Sequence, residues 1–435
     1  MPLPLLQLRG VALLALILAT PALVLADLAE KNIGLQLPRH RLEARELAVI
    51  VNDKDPLSVR IGEYYVKARR IPAENLLRVS FKPGRSNLPA RKFRHLLDQV
   101  RRMTPEHIQA WAITWASPYR VDCMSITSAF TFGFDEAWCS RKRCAATAIN
   151  PWFSNPTSMP YTEFGMRPTM AIAATDFARA RALIDRGIAS DGSQPDGVAY
   201  LLSTSDRARN VRAVRYPLVQ KHFNNSLDIA IIQADSLKDR KDVLFYFTGK
   251  SEVRYLDSLR FVPGAVADHL TSAGGKLTDS RQMSSLRWLE AGATGSYGTV
   301  VEPCNRLGKF PEPAVLLESY THGRTLLEAY WQSVQQPGEG IFIGEPLAAP
   351  FDGFQLTEQQ DTVVLTTRVL LPGRYLLYSS AGPVGPYMPT GIQLKADLHQ
   401  TSYRLPRTKH PYLKLVFIAP PDSTPAAAGI PAGEN

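Results

Sequence analysis

Residues 47–72 read LAVIVNDKDPLSVRIGEYYVKARRIP, and the predicted fold class follows from this stretch. The five consecutive apolar residues at 47–51 are typical of a strand that is buried on both faces. Asp55-Pro56 is a helix start signal, and a helical stretch runs from it to about Arg70, where Ile71-Pro72 ends it. A buried strand followed directly by a helix predicts a β-α-β unit of a parallel sheet.

The same alternation continues along most of the 435-residue chain. Further strands are predicted at 76–80, 110–115, 169–174, 197–203, 228–233, 243–247, 264–270 and 293–297, and helices at 90–103, 176–186, 284–291, 314–320 and 326–334. We therefore predict an α/β domain over residues 27–350, with right-handed crossovers between parallel strands. Residues 116–165 break the rhythm with three cysteines and several turn residues, and we interpret them as an insertion over the sheet edge.

The chain changes character after residue 350. Residues 361–380 contain two β-rich runs on either side of Pro372-Gly373, which is a turn signal. This pattern predicts a small all-β sandwich domain at 351–420. Residues 421–435 are rich in Ala, Pro and Gly, and we predict a disordered tail there.

The N-terminus carries the only long apolar run of the sequence. Residues 1–26 combine Arg9 with an apolar segment and a loose small-x-small site at Ala26, which indicates a secretory signal peptide. The alternative is an uncleaved membrane anchor. We expect cleavage near Ala26, no transmembrane span in the mature chain, and a periplasmic or extracellular location.

The chain is basic, and its net charge of +10 falls to +9 when the predicted signal peptide is removed. The densest basic clusters are residues 141–143 and the spaced arginines at 207–215, and neither alternates with aromatic residues as a nucleic-acid groove does. We therefore expect no nucleic-acid partner. The basic surface is either simply solvated or attracted to an anionic envelope or polysaccharide surface.

Export permits disulfides, and four cysteines allow three pairings. Cys139 and Cys144 flank a short basic loop and are close enough in sequence to pair, which leaves Cys123 with Cys304. The alternative is a free and reactive Cys304. The spacing of the cysteines does not fit a zinc site, so we predict no metal there.

The segment FVPGAVADHLTSAGG at 261–275 is the first candidate for chemistry. Sites in parallel α/β sheets form at the carboxyl ends of strands, where Asp268 would orient His269 as the base and Ser272 or a cysteine would be the nucleophile. Neighbouring residues of a strand point to opposite faces, however, so Asp268 and His269 make a poor local pair. The alternative is that His269 is a buried structural histidine.

Other polar residues follow neighbouring strands. Cys304 is a second candidate nucleophile for His269, and the candidate binding residues are Thr248, Lys250, Asp268, Glu302, Asn305 and Glu345. The glycine-rich segment at 291–305 is neither a P-loop nor a dinucleotide fingerprint, so we predict no cofactor. The remaining histidines show no metal-ligand spacing; they are His40, His95, His107, His222, His322, His399 and His410.

Several long motifs carry a family resemblance. VPGAVADHLTSAGG at 262–275, GATGSYGTVVEPCN at 292–305 and GEPLAAPF at 344–351 resemble the core of a secreted bacterial family found in genomes that also encode exosortase, a membrane sorting enzyme. The resemblance covers roughly residues 45–420 and implies no established activity. The chain lacks the Pro-Glu-Pro tail of exosortase substrates, which indicates a companion of that system and not its cargo.

More distantly, the strand order is similar to that of gingipain-type peptidases, which implies a caspase-like sheet followed by a β-sandwich. Those enzymes carry a Gly-His-Gly after one strand and a catalytic Cys after the next, whereas this chain has residues 248–250, TGK, and Thr271-Ser272. We therefore expect an exported protein that is non-catalytic or of undefined activity and that binds an envelope peptide or polysaccharide. We expect it to be linked to exosortase-type sorting or exopolysaccharide export. The alternative is a divergent peptidase or other hydrolase that uses His269 with Ser272 or Cys304.

Overall fold

The computed structural model describes residues 33–140 and 144–420. Its strands are β1 Gly34–Gln36, β2 Leu47–Asn52, β3 Leu76–Val79, β4 Ala110–Ile113, β5 Arg120–Val121, β6 Met124–Ser125, β7 Thr169–Ala171, β8 Val198–Ser203, β9 Asp228–Gln233, β10 Val243–Thr248, β11 Phe261–His269, β12 Gly295–Thr299, β13 Gly340–Gly344, β14 Phe354–Glu358, β15 Thr362–Thr367, β16 Gly373–Ser380, β17 Met388–Ala396, β18 Ser402–Pro406 and β19 Tyr412–Ala419. Its α-helices are α1 Pro56–Arg69, α2 Ala90–Met103, α3 Ile126–Phe132, α4 Pro160–Phe164, α5 Phe177–Ser190, α6 Tyr216–Phe223, α7 Leu286–Ala291, α8 Pro313–Thr321 and α9 Leu326–Ser333. The predicted signal peptide, the basic triplet at 141–143 and the predicted disordered tail lie outside the described residues.

The first β-α-β unit forms as its sequence indicates. Every residue of β2 is buried, as expected for a strand covered on both faces. The side chain of Asp55 caps α1 by accepting a hydrogen bond from the amide of Leu57 at 3.0 Å, and Pro56 begins the helix. Arg70 ends it in the left-handed conformation.

Ten strands form one sheet in the order β3-β2-β4-β7-β13-β12-β11-β10-β8-β9. All neighbouring pairs are parallel except β12 and β13, which are antiparallel. Two blocks of five parallel strands therefore meet at a single antiparallel junction. The prediction of a mostly parallel sheet flanked by helices is confirmed, and this layout is compatible with the caspase-like arrangement that the resemblance implies.

The C-terminal region is antiparallel, as predicted, and consists of two small sheets. One contains β14, β15 and β18, and the other has the order β1-β19-β16-β17. Buried side chains from both sheets, including Leu365, Leu377 and Leu415, share one core, which is the arrangement of a sandwich. The N-terminal strand β1 pairs in parallel with β19, a contact that the sequence did not predict because three residues are too short to show a period.

The predicted disulfide pairing is wrong. The structure joins Cys123 to Cys139 and Cys144 to Cys304, with Cα–Cα distances of 5.7 and 5.2 Å. Nearness in sequence misled the prediction, because the chain turns at Cys144 toward the loop of Cys304, where Arg306 donates a hydrogen bond to the carbonyl of Cys144. No described cysteine is free.

The two disulfides are consistent with an exported protein. Among the residues at 33–140 and 144–420, no helix has the length and apolar character needed to cross a bilayer.

Candidate functional site

The carboxyl ends of β10 and β11 lie side by side, as the sequence predicts. Thr248 and His269 are register partners, and the amide of Leu270 donates to the carbonyl of Thr248 at 2.9 Å. Asp268 and His269 contact different partners: Asp268 meets Arg212, and His269 meets Trp288 and Met283. Their placement on opposite faces follows from the period of a strand.

Asp268 forms a buried ion pair. Its Oδ1 accepts a hydrogen bond from Arg212 Nη2 at 2.5 Å, and both side chains are at most 3% exposed. Arg212 also donates to the carbonyl of Thr248 at 3.1 Å, so the segment before α6 is anchored to the strand end. Burial raises the pKa of Asp268 against the opposing effect of the Arg212 charge. This carboxylate anchors a segment of chain and does not contact His269 through any described hydrogen bond.

Both nitrogens of His269 are occupied. Nδ1 accepts a hydrogen bond from Trp288 Nε1 at 2.9 Å, which leaves Nε2 to carry the proton and donate it to the carbonyl of Met283 at 3.0 Å. Burial lowers the pKa of His269 to about 4, so the ring is neutral at pH 7. This geometry fits the structural alternative for His269, since a general base needs a free lone pair facing its substrate.

The two candidate nucleophiles are not placed for a dyad. Cys304 is bonded to Cys144 and has no thiol. Ser272 is half-buried, and the hydrogen bond described for it is the one that its carbonyl accepts from Thr299 Oγ1 at 3.3 Å. No described hydrogen bond joins either residue to His269.

The remaining candidate binding residues are dispersed. Thr248 is fully buried, Lys250 pairs with Asp235 at 2.9 Å, and Asn305 is exposed. Glu302 accepts a hydrogen bond from the amide of Cys304 at 2.9 Å.

Glu345 is also separate from His269. It lies at the amino end of β12, where its amide donates to the carbonyl of Thr294 at 3.1 Å, whereas His269 is near the carboxyl end of that strand. Its carboxylate is fully buried and accepts hydrogen bonds from Tyr65 and Arg69. It therefore joins helix α1 to the sheet.

A cavity of about 830 Å³ lies elsewhere. It lies between α6, α8, residues 154–156 and Leu371 of the C-terminal region. Its apolar wall is formed by Leu218 and Val219 of α6 and by Ala314 and Val315 of α8. Leu218 is 56% exposed, so part of this apolar wall faces solvent.

The polar groups of this cavity are incompletely paired. Arg215 Nε, Glu312 Oε1 and Arg324 Nη1 are buried without a hydrogen-bond partner among the described residues. Arg215 and Glu312 approach only to 3.9 Å. Burial raises the pKa of Glu312 against the opposing charge of Arg215, and burial lowers the pKa of Arg324. Protein atoms cover all three of these atoms, so a ligand in the cavity bonds to one of them only if a side chain moves.

Sequence reasoning missed this site because its wall is assembled from distant segments of the chain.

No family model, curated protein or solved structure matches the chain. The resemblance to the exosortase-associated family and to gingipain-type peptidases therefore stays a prediction from the motifs.

Proposed function

We propose that the protein is an exported peptide-binding protein without peptidase activity, and that it acts as a companion of exosortase-type protein sorting. The proposal rests on the contrast between the region around His269 and the cavity between α6 and α8. His269 and Cys304 are engaged in structural bonds, whereas the cavity between α6 and α8 combines an apolar wall with charged side chains. The link to protein sorting rests on the resemblance of the motifs.

The chemistry of the cavity favours a peptide over a polysaccharide. Its lining includes apolar side chains together with Arg215, Lys221 and Arg324 as cations and Glu312 and Glu318 as anions. A peptide offers apolar side chains, amide groups and charges to such a surface. The described lining residues include no Phe, Tyr or Trp, which are the flat platforms on which sugar rings stack.

The test is selection of a displayed library of unstructured 12-residue peptides on the exported protein. The Ala314→Trp variant fills the cavity from α8, and Val384→Trp is the matched control, because Val384 is 95% exposed and lies outside the cavity wall. We expect selected peptides to bind the wild type and Val384→Trp equally and to lose at least tenfold in affinity with Ala314→Trp. Equal binding to all three proteins contradicts the proposal, and so does binding of a soluble anionic exopolysaccharide in place of any peptide.

A further inference from the structure

Three histidines converge on one carboxylate at the edge of the cavity. His222 on α6 and Glu318 on α8 meet with 2.9 Å between Nε2 and Oε2. His322, just after α8, places Nδ1 3.4 Å from the other oxygen of Glu318, and His399, in the loop between β17 and β18, places Nε2 4.0 Å from Oε2. His222, His399 and the Glu318–His322 pair thus come from separate segments of the chain and form one cluster.

The spacing of this cluster suits a metal ion. The ligand atoms of His222, Glu318 and His399 all lie within 4.8 Å of one another. In a tetrahedral zinc site, bonds of about 2.0–2.1 Å hold ligand atoms roughly 3.3 Å apart. The observed distances of 2.9 Å for His222 and 4.0 Å for His399 to the Glu318 carboxylate bracket that value, so the three ligand atoms lie near the spacing that an ion requires.

His399 supplies an independent observation. Its Nε2 is buried and has no hydrogen-bond partner among the described residues, although it faces the carboxylate of Glu318. Its backbone has a φ of 59°, a left-handed conformation that residues other than glycine rarely adopt. A buried polar atom without a partner is destabilising, and a metal bond at Nε2 would remove that penalty.

We propose that His222, Glu318 and His399 bind one divalent transition-metal ion of the zinc class. Two imidazoles and a carboxylate are ligands that zinc prefers, and three protein ligands leave a fourth position for water or a guest group. His222 and Glu318 both line the cavity, so this position opens toward it. His322 lies beside the site, where its Nδ1 is 2.8 Å from the backbone carbonyl of Glu318 and next to the carboxylate.

The test is competition for Zn²⁺ between a chromophoric indicator and the exported protein after treatment with a chelator. We expect one Zn²⁺ per chain, and an affinity loss of at least 100-fold in His222→Ala, His399→Ala and Glu318→Gln. His95→Ala is the matched control, since His95 is an exposed histidine on α2, far from the cluster in sequence, and it must bind as the wild type does. Co²⁺ provides a second readout, because visible absorption bands report imidazole and carboxylate ligation without any assay of activity.

The outcomes are separable from those of the peptide proposal. Ala314→Trp fills the cavity but keeps all three ligands, so we expect it to retain Zn²⁺ even if it loses peptide. A stoichiometry near zero overturns the metal site, as does wild-type affinity in the His399→Ala and Glu318→Gln variants when circular dichroism shows that they are folded.

Discussion

His269 gives the most specific prediction, because its environment determines whether a lower pH raises or lowers the stability of the fold. Burial lowers its pKa from 6.5 to about 4, and the nearby charges of Arg212 and Arg209 act in the same direction. Between those two pH values the unfolded chain binds a proton at this position and the folded chain does not. Stability therefore falls as the pH drops from about 6.5 toward about 4, and this contribution levels off below that.

The magnitude follows from linkage. A histidine that titrates at 6.5 when unfolded and at about 4 when folded lowers the free energy of unfolding by about 2 kcal/mol between pH 7 and pH 5. Urea titration at both pH values measures this quantity for the wild type and for His269→Gln, which does not titrate and keeps a donor for the carbonyl of Met283. Since all other groups are shared, we expect the stability difference between the two proteins to change by about 2 kcal/mol from pH 7 to pH 5.

A pH-independent difference would refute the buried, neutral state of His269. A histidine that works as a general base titrates near the operating pH, so its folded and unfolded pKa values are similar and the difference vanishes. The same experiment therefore separates the structural assignment of His269 from the hydrolase alternative. An assay of peptide hydrolysis with His269→Ala and Ser272→Ala is the direct complement, and unchanged background activity is expected.

Two further predictions concern stability. Asp268→Asn leaves the buried Arg212 cation without a counter-charge, so we expect the free energy of unfolding, measured by urea titration, to fall by about 3 kcal/mol. The double variant Arg212→Met/Asp268→Asn removes that cation, and we expect it to regain more than half of the loss. The Cys144–Cys304 disulfide closes a loop with a sequence separation of 160, whereas Cys123–Cys139 closes one of 16. The chain-entropy model therefore predicts that replacing both cysteines of Cys144–Cys304 with serine lowers the free energy of unfolding by about 2 kcal/mol more than the same change at Cys123–Cys139. Equal losses for the two disulfides would show that native-state contacts and not chain entropy set their contributions.

The parts of the fold that local sequence encodes were predictable. The apolar run of β2, the Asp55 cap and the Ile71-Pro72 stop each depend on a few adjacent residues, and the structure contains all three. The adjacency of Thr248 and His269 was also predictable, because it follows from the rule that parallel strands end at one edge.

The features that were missed depend on contacts between distant segments. Nothing near Cys144 indicates that its partner is 160 residues away. Likewise, no local periodicity of the sequence specifies the order of the strands or the antiparallel junction of β12 and β13. His222 and His399 each look isolated in the sequence, and only the packing of α6 against the C-terminal region brings them to Glu318.

The location of the cavity has a physical reason. The strand ends that usually hold a site in parallel sheets are filled here by the protein's own charges, including the fully buried Lys309–Glu339 pair, with 2.7 Å between Nζ and Oε2, and the Arg212–Asp268 pair. These charged pairs fill the strand ends, and the cavity lies instead where α6 and α8 meet the C-terminal region. Leu371 of the cavity wall and His399 of the metal cluster come from that region, whereas the other residues of both sites do not, so a bound peptide or metal ion would contact both parts at once. By mass action, such a ligand would stabilise only the arrangement in which α6 and α8 are packed against the C-terminal region.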